Sequence, residues 1–534
     1  MQKEISLRLL PAEAIDTAAV TEYIARGTAA KLADITGFYI TKRSIDARGR
    51  QAWVNLTVKA FIGEPFIERK IEAITLRDVA NAKHSVIIVG AGPAGLFAAL
   101  KCIEQGIKPV IVERGKDVRA RRRDLAILNK DGIVNEESNY CFGEGGAGTY
   151  SDGKLYTRST KRGDISRILN ILVQFGADEK ILYEAHPHIG TNKLPHIITA
   201  MRQQIITCGG EVLFEHKLTD FITENNKITH VVLNNSIIIK AEKIILVTGH
   251  SARDIFELLY KKQILIEAKP FALGVRVEHP QALIDSIQYH CTATVNNDCA
   301  RGEHLPPASY SLVEQVNGKG VFSFCMCPGG IIAPAATSNG QLVVNGWSPS
   351  KRNNPYANSG MVVTVEQKDL LNQKNFPQHN NADSPLSLLH FQSWVEQNAF
   401  TAGGGKFVAP AQRMIDFCNN KTSATLPACS YVPGLASTAL QTVLPPFINS
   451  RLQEGFKAFG KKMRGYFSND AVVVATESRT SSPVRIPRDA ETLQHPQISN
   501  LYPCGEGAGY AGGIVSAAMD GERVVAMIAQ KLIP

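Results

Sequence analysis

Two hydrophobic patterns divide the chain. The runs Val86–Val89, Val110–Val112, Ile244–Val247 and Ala471–Ala475 are apolar at every position, as strands buried on both faces of a parallel sheet are. Between them Pro93–Gln105, Ile165–Phe175, His196–Thr207 and Ile514–Lys531 repeat apolar residues at helical spacing, and Glu211–Glu215 reads as a short strand. Residues 1–80 carry a different rhythm: a helix within Ala12–Lys31, then two alternating strands, Tyr39–Asp46 and Trp53–Phe61, around Ala47-Arg-Gly-Arg50. Phe221–Glu242 reads as a meander or hairpin turning at Asn225-Asn226. From 268 to 464 strands are short and alternating, prolines and asparagines multiply, and no βαβ rhythm is visible. Phe376–Ser384 reads as the most mobile loop of that stretch. The pattern predicts an α/β protein in three parts: a small N-terminal α+β module (1–80), a discontinuous Rossmann-like domain (81–267 and 465–534), and an inserted, mainly β (α+β) substrate domain (268–464).

Gly90-x-Gly92-x-x-Gly95 follows Val89 without a gap and opens the helix at Pro93 and Ala94. Gly90 permits the sharp turn, Gly92 lets a pyrophosphate approach the backbone, and Gly95 lets the helix lie close on the sheet. The helix N-terminus offers free N–H groups to phosphate. Glu113 ends the next strand at the spacing of an acid that meets a ribose hydroxyl, and Arg114 begins a basic stretch expected beside the adenosine half of the ligand. Five glycines between Gly143 and Gly153, with Gly145, Gly146 and Thr149 at the centre, make a loop whose backbone approaches something closely. The buried run before Gly249 matches a sheet returning beneath a dinucleotide. More than four hundred residues after the first turn comes a second strand–glycine turn–helix unit, Gly505-Glu506-Gly-Ala-Gly-Tyr-Ala-Gly512-Gly513-Ile514. A nicotinamide dinucleotide needs only the first turn. A ribityl chain and flavin ring need a second close backbone approach, an acid for their hydroxyls and a helix N-terminus near the ring. The ligand expected is FAD.

Composition narrows the rest. With 44% hydrophobic and 20% charged residues the chain has ample core, and its ten scattered cysteines form no repeated C-x-x-C grid, which points to a reducing, cytoplasmic setting. No apolar run reaches the length of a membrane span. The net charge of +9 is spread out; its one dense stretch, Arg114–Arg123, reads as a solvated helix face, and no nucleic-acid motif accompanies it. Cys325-x-Cys327 has no second Cys/His pair at zinc spacing, so no metal is expected; a redox or substrate-facing thiol and a strand with two buried thiols both remain open. Arg479, Ser481, Ser482 and Arg485 lie just before the second turn and are candidates for catalysis (the arginines, as carboxylate clamps) and substrate contact (the serines). For each arginine an ion pair at the domain junction competes with that role. His250 is the candidate acid or base.

Val89-Gly-Ala-Gly-Pro-Ala-Gly95, Phe142-Gly-Glu-Gly-Gly-Ala-Gly-Thr149, Gly249-His-Ser-Ala-Arg-Asp254, Phe324-Cys-Met-Cys-Pro-Gly-Gly330, Glu477–Arg485 and Pro503–Gly513 stand in one order. Together they resemble the largely uncharacterised NAD(P)/FAD-dependent oxidoreductases of the glutathione-reductase-type superfamily. That resemblance implies non-covalent FAD, an interposed substrate domain and the nucleotide motif at Gly90, Gly92, Gly95 and Glu113; Glu506 stands where the superfamily usually has Asp. The expectation is an oxidoreductase passing hydride or electrons between a small or medium organic substrate and FAD, with transient NAD(P)H or an electron-carrier protein as second partner. A flavoprotein whose FAD is structural and a flavin monooxygenase are the alternatives.

Overall fold

A computed structural model describes residues 1–157, 163–291, 301–377 and 381–532. Three sheets organise them. The N-terminal sheet is antiparallel, with Trp53–Ile62 between Gln2–Leu9 and Ile35–Asp46. Val54, Leu56, Val58 and Ala60 alternate inward against Val20 and Ile24 of the helix Thr17–Thr28, which is why one face of these strands reads apolar. The strand Gln2–Leu9 is additional to the two expected there.

The second sheet is parallel, in the order Leu501–Pro503, Lys243–Leu246, Ser85–Val89, Lys108–Val112, Glu211–Leu213. Both faces are covered. Val86 and Ile88 point to a core shared with the helices Pro93–Glu104, Leu194–Thr207 and Ile514–Leu532. Ile87 and Val89 point to a core shared with Arg253–Lys261 and the three-stranded meander of 218–240. The meander turns where expected, with Asn225 and Asn226 both at positive φ, as a tight hairpin of that hand requires.

The third sheet has seven strands and is mostly antiparallel: Val313–Val316, Lys319–Cys327, Tyr356–Val365, Phe271–Pro280, Val472–Glu477, Ala409–Arg413 and Leu435–Ser437. The helices Ser387–Ala402 and Pro446–Lys462 pack on it. Here one expectation is corrected. Val472–Glu477 does not join the parallel sheet but pairs between Phe271–Pro280 and Ala409–Arg413. A strand in the middle of any well-covered sheet is continuously apolar, so the pattern reported burial correctly and the partner wrongly. Residues 378–380 of the expected mobile loop lie outside the described residues, but Phe376 within it is buried against Phe391 and Trp394. Among the described residues eight cysteines are free and Cys291 is disulfide-bonded. Among the described residues no helix is long and apolar enough to cross a membrane.

Candidate functional site

A cleft of about 300 Å³ runs from the C-terminal ends of the parallel strands to the face of the seven-stranded sheet. Gly90, Gly92, Pro93 and Ala94 form one wall; Gly505, Glu506, Gly513 and Ile514, from the other end of the chain, form the adjoining one. The two are drawn together by packing of the helices that follow them: a Cβ on Gly521 would collide with the carbonyl of Ala94, and one on Gly505 would sit 3.3 Å from Ala94 Cβ. Glu113, Arg114, Gly146, Gly249 and His250 complete the nucleotide end.

The glycines divide into two kinds. Gly95 and Gly145 do not line the cleft; each lacks a side chain because one would strike its own surroundings, Gly90 O in the first case and the Thr149 hydroxyl in the second. Gly92, Gly249 and Gly513 do line it, and an added Cβ would meet no heavy atom within 4 Å except Gly146 Cα, 4.0 Å from Gly92. Side-chain space at those three positions is cleft space. Such a glycine cradle, next to a helix N-terminus with Pro93 at its first turn, fits a pyrophosphate and the chain beyond it. The residues present therefore suit FAD.

Several polar residues prove to be fasteners. Glu113, buried, accepts from the backbone N–H of Ala91 at 2.9 Å through one oxygen and from Gly115 and Gly143, both at 2.9 Å, through the other. It ties the first turn to the glycine loop and keeps about one lone pair for a hydroxyl. Arg114 stacks on Phe142 and is clamped by Glu137 at 2.6 Å and Asp254 at 2.9 Å. Thr149 is buried outside the cleft lining and donates to Glu144 O. Gly512 also stands outside the lining. His250 lines the cleft with its Nδ1 3.6 Å from Glu506 Oε1.

The candidates before the second turn are mostly not brought to the cleft. Arg485 is exposed, with Glu267 3.9 Å away, on a short strand outside the lining. Ser481 is outside the lining, and the buried Ser482 hydroxyl donates to Val484 O at 2.6 Å. Arg479 does reach the wall, but Glu396, on the helix Ser387–Ala402, takes its guanidinium at 3.2 Å, with Thr337 at 2.7 Å. Arg253 holds the same carboxylate at 2.8 Å. Burial alone would push Glu396 upward; the two arginines outweigh it and hold the carboxyl at about 2. Cys325 and Cys327 both line the far end of the cleft, beside Phe324, Asn345, Trp347 and Lys154.

Sequence reasoning missed Arg121. It belongs to the arginine run expected to be a solvated face, yet is wholly buried, donating to the carbonyls of Asn139 (2.7 Å), Tyr140 (2.9 Å), Gly143 (3.3 Å) and Glu144 (2.8 Å). It is the internal frame of the glycine loop. Arg121→Met is expected to destabilise the protein by about 2–4 kcal/mol, because several buried carbonyls lose their donor at once; chemical denaturation measures this. Asp520, also missed, accepts from Gly505 N at 2.8 Å while paired with Arg488 at 2.7 Å, and so braces the second turn from beneath.

Family models match three stretches: an FAD binding domain at 85–122, an FAD-dependent protein C-terminal domain at 270–480, and a domain of unknown function at 1–61. An uncharacterized protein of Clostridium beijerinckii is 40% identical over 516 residues, 93% of each chain. A thiamine thiazole synthase of Aeropyrum pernix is 29% identical over 187 residues, covering 32% of this chain and 57% of its own. Among solved structures, glycine oxidase of Bacillus cereus aligns over 84% of this chain and 96% of its own at 13% identity and a TM-score of 0.30, too distant to bear on chemistry. Matched nearly end to end by its clostridial relative, and carrying two FAD-specific regions that enclose one glycine-lined cleft, the chain is an FAD-binding protein belonging to the same family as that C. beijerinckii protein.

Proposed function

We propose that this protein is an FAD-dependent oxidoreductase of the glutathione-reductase-type superfamily, acting on a small or medium organic substrate. The observation that carries the reading is the meeting of two glycine turns, far apart in sequence, on adjoining walls of one cleft, with a further pocket end lined by the seven-stranded sheet. Bound FAD would supply two-electron chemistry at its ring. The chain's own part is to hold the nucleotide by Gly90, Gly92 and Gly505 backbone, to place Glu506 toward the polyhydroxyl chain, and to keep an imidazole, His250, where it can pass a proton. NAD(P)H as a transient co-substrate, or an electron-carrier protein, closes the redox cycle.

Anaerobic titration of the purified holoprotein tests this. The flavin band should bleach with NAD(P)H or with a member of a metabolite library; resistance to every donor would make the FAD structural. Oxygen-dependent NAD(P)H consumption with a hydroxylated product would instead make the protein a monooxygenase. With a donor in hand, His250→Ala is expected to keep its FAD and lose about 10²–10⁴-fold in turnover, the usual size of a general acid–base contribution; unchanged steady-state kinetics would remove His250 from the mechanism.

A further inference from the structure

The strand Lys319–Cys327 is broken where it meets the cleft. Phe324 pairs with Gly360 and Cys327 with Asn358, so Cys325 and Met326 together face Ser359 alone. Cys325 adopts φ 44°, a left-handed conformation that a non-glycine residue in a strand rarely takes. The result is a division of side chains: Met326 enters the core, Cys327 is buried at the wall, and Cys325 is exposed to the cleft. Bulges beside active sites serve to re-aim a side chain in this manner.

A buried arginine ties the bulge to the core, alongside the Cys327 thiol, which reaches the same Cys325 carbonyl at 3.2 Å. Arg276, on the core strand Phe271–Pro280 that lies beyond Tyr356–Val365, donates from Nη2 to Cys325 O at 2.7 Å. The rest of its guanidinium is fixed by Glu477 at 2.7 Å, Asn358 at 2.8 Å and Asn345 at 3.3 Å. Both charges of the pair are fully buried, an arrangement that seldom stabilises better than apolar residues would. The network also dictates Gly346, where any Cβ would collide with the Arg276 guanidinium and the Asn358 carboxamide. The same guanidinium lies 3.6 Å from Cys327 Sγ, so this buried network fixes the backbone from which Cys325 projects.

We propose that Cys325 is the thiol that touches substrate in this cleft, and that Arg276 is a positioning residue that sets its direction. The inference rests on the FAD reading of the cleft. The surrounding Phe324, Trp347 and Asn345 suit a planar, largely apolar molecule, and Lys154, which spends one of its three N–H donors on Met326 O, suits a carbonyl or carboxylate on it. Cys325 is open to the cleft, yet the walls exclude enough water to push its thiol up to about 11 despite Lys154, so it meets substrate as a neutral S–H donor.

Alkylation of the FAD-loaded protein with iodoacetamide, read site by site by mass spectrometry, is the test. Cys325 should react at least about tenfold faster than Cys327, at a rate rising about tenfold per pH unit between 7 and 9. The label should perturb the visible band of the bound flavin, and Cys325→Ser treated alike should show no perturbation. In the double variant Arg276→Gln, Glu477→Gln, which leaves no unpaired buried charge and so guards against simple misfolding, the preference for Cys325 should fall to within about threefold while FAD is retained. An unlabelled Cys325, a labelled Cys325 with an unchanged flavin band, or an undiminished preference in the double variant would each overturn the proposal. A wild-type protein that binds no FAD would instead sink the reading of the cleft itself, and the alkylation ratio would still report on the bulge.

Discussion

Gly92→Val should give a folded protein that carries no flavin. The two halves of that statement come from different observations. Gly92 has φ −74° and ψ −177°, an extended conformation open to any residue, and it precedes the helix Pro93–Glu104 without using its missing side chain for packing. Apart from its chain neighbours, the nearest heavy atom to an added Cβ is Gly146 Cα at 4.0 Å, so a Cβ fits without collision at a position that lines the cleft. Where a pyrophosphate must lie against the backbone, a branched side chain removes the contact and the N–H groups behind it together. A loss of at least about a hundredfold in FAD affinity, near 3 kcal/mol, is expected, with the thermal unfolding of the apoprotein within about a degree or two of wild type. Gly95→Val is the contrasting control. Its Cβ would be driven into the Gly90 carbonyl and sit 3.3 Å from Val247, so that variant should lose the fold along with the colour. Normal flavin-to-protein absorbance in Gly92→Val would show that this turn holds no pyrophosphate.

The difference between those two glycines shows what a sequence makes legible. Both belong to one motif, and the motif's order of strand, turn and helix was enough to place Ser85–Val89, Lys108–Val112 and Lys243–Leu246 in a parallel sheet, because continuous apolar runs joined by helices have few other solutions. The second turn was legible for the same local reason. What stayed hidden depends on contacts between distant segments. Val472–Glu477 reads as buried in either sheet, and only its partners decide which. For Arg479 a substrate clamp and an ion pair read equally well, and only Glu396, arriving from another helix, decides for the ion pair. Arg121 is the instructive intermediate case, since the signal was present. On the helix Val118–Asp131 the buried residues are Val118, Arg121, Leu125 and Leu128, so Arg121 stands at helical spacing on the apolar face, while Arg119, Arg122 and Arg123 do not. Counting arginines concealed it, and their phase along the helix would have found it.

Glu396 carries the second large effect. It is fully buried between Arg253 and Arg479, with the Ser478 hydroxyl donating at 2.7 Å and a Gln392 carboxamide beside it, where Arg253 is also held. Glu396→Gln preserves shape and removes the negative charge shared by two buried guanidiniums, which leaves neither with a paired carboxylate among the described residues. Breaking a buried pair in this manner costs about 3–5 kcal/mol, and because Arg479 and the residues on either side of Arg253, Ala252 and Asp254, line the cleft, FAD retention should weaken with it. The pH dependence supplies an independent check. Folding lowers this carboxyl from 4.5 to about 2, so its contribution is complete above the unfolded value and is lost as pH falls from about 4.5 toward 2. Wild type should therefore lose stability across that window faster than Glu396→Gln, and the gap between the two denaturation curves should narrow steadily as the medium is acidified. A gap that stays constant from pH 6 to pH 3 would mean that Glu396 is already protonated in the native protein and that the two arginines are balanced by something else.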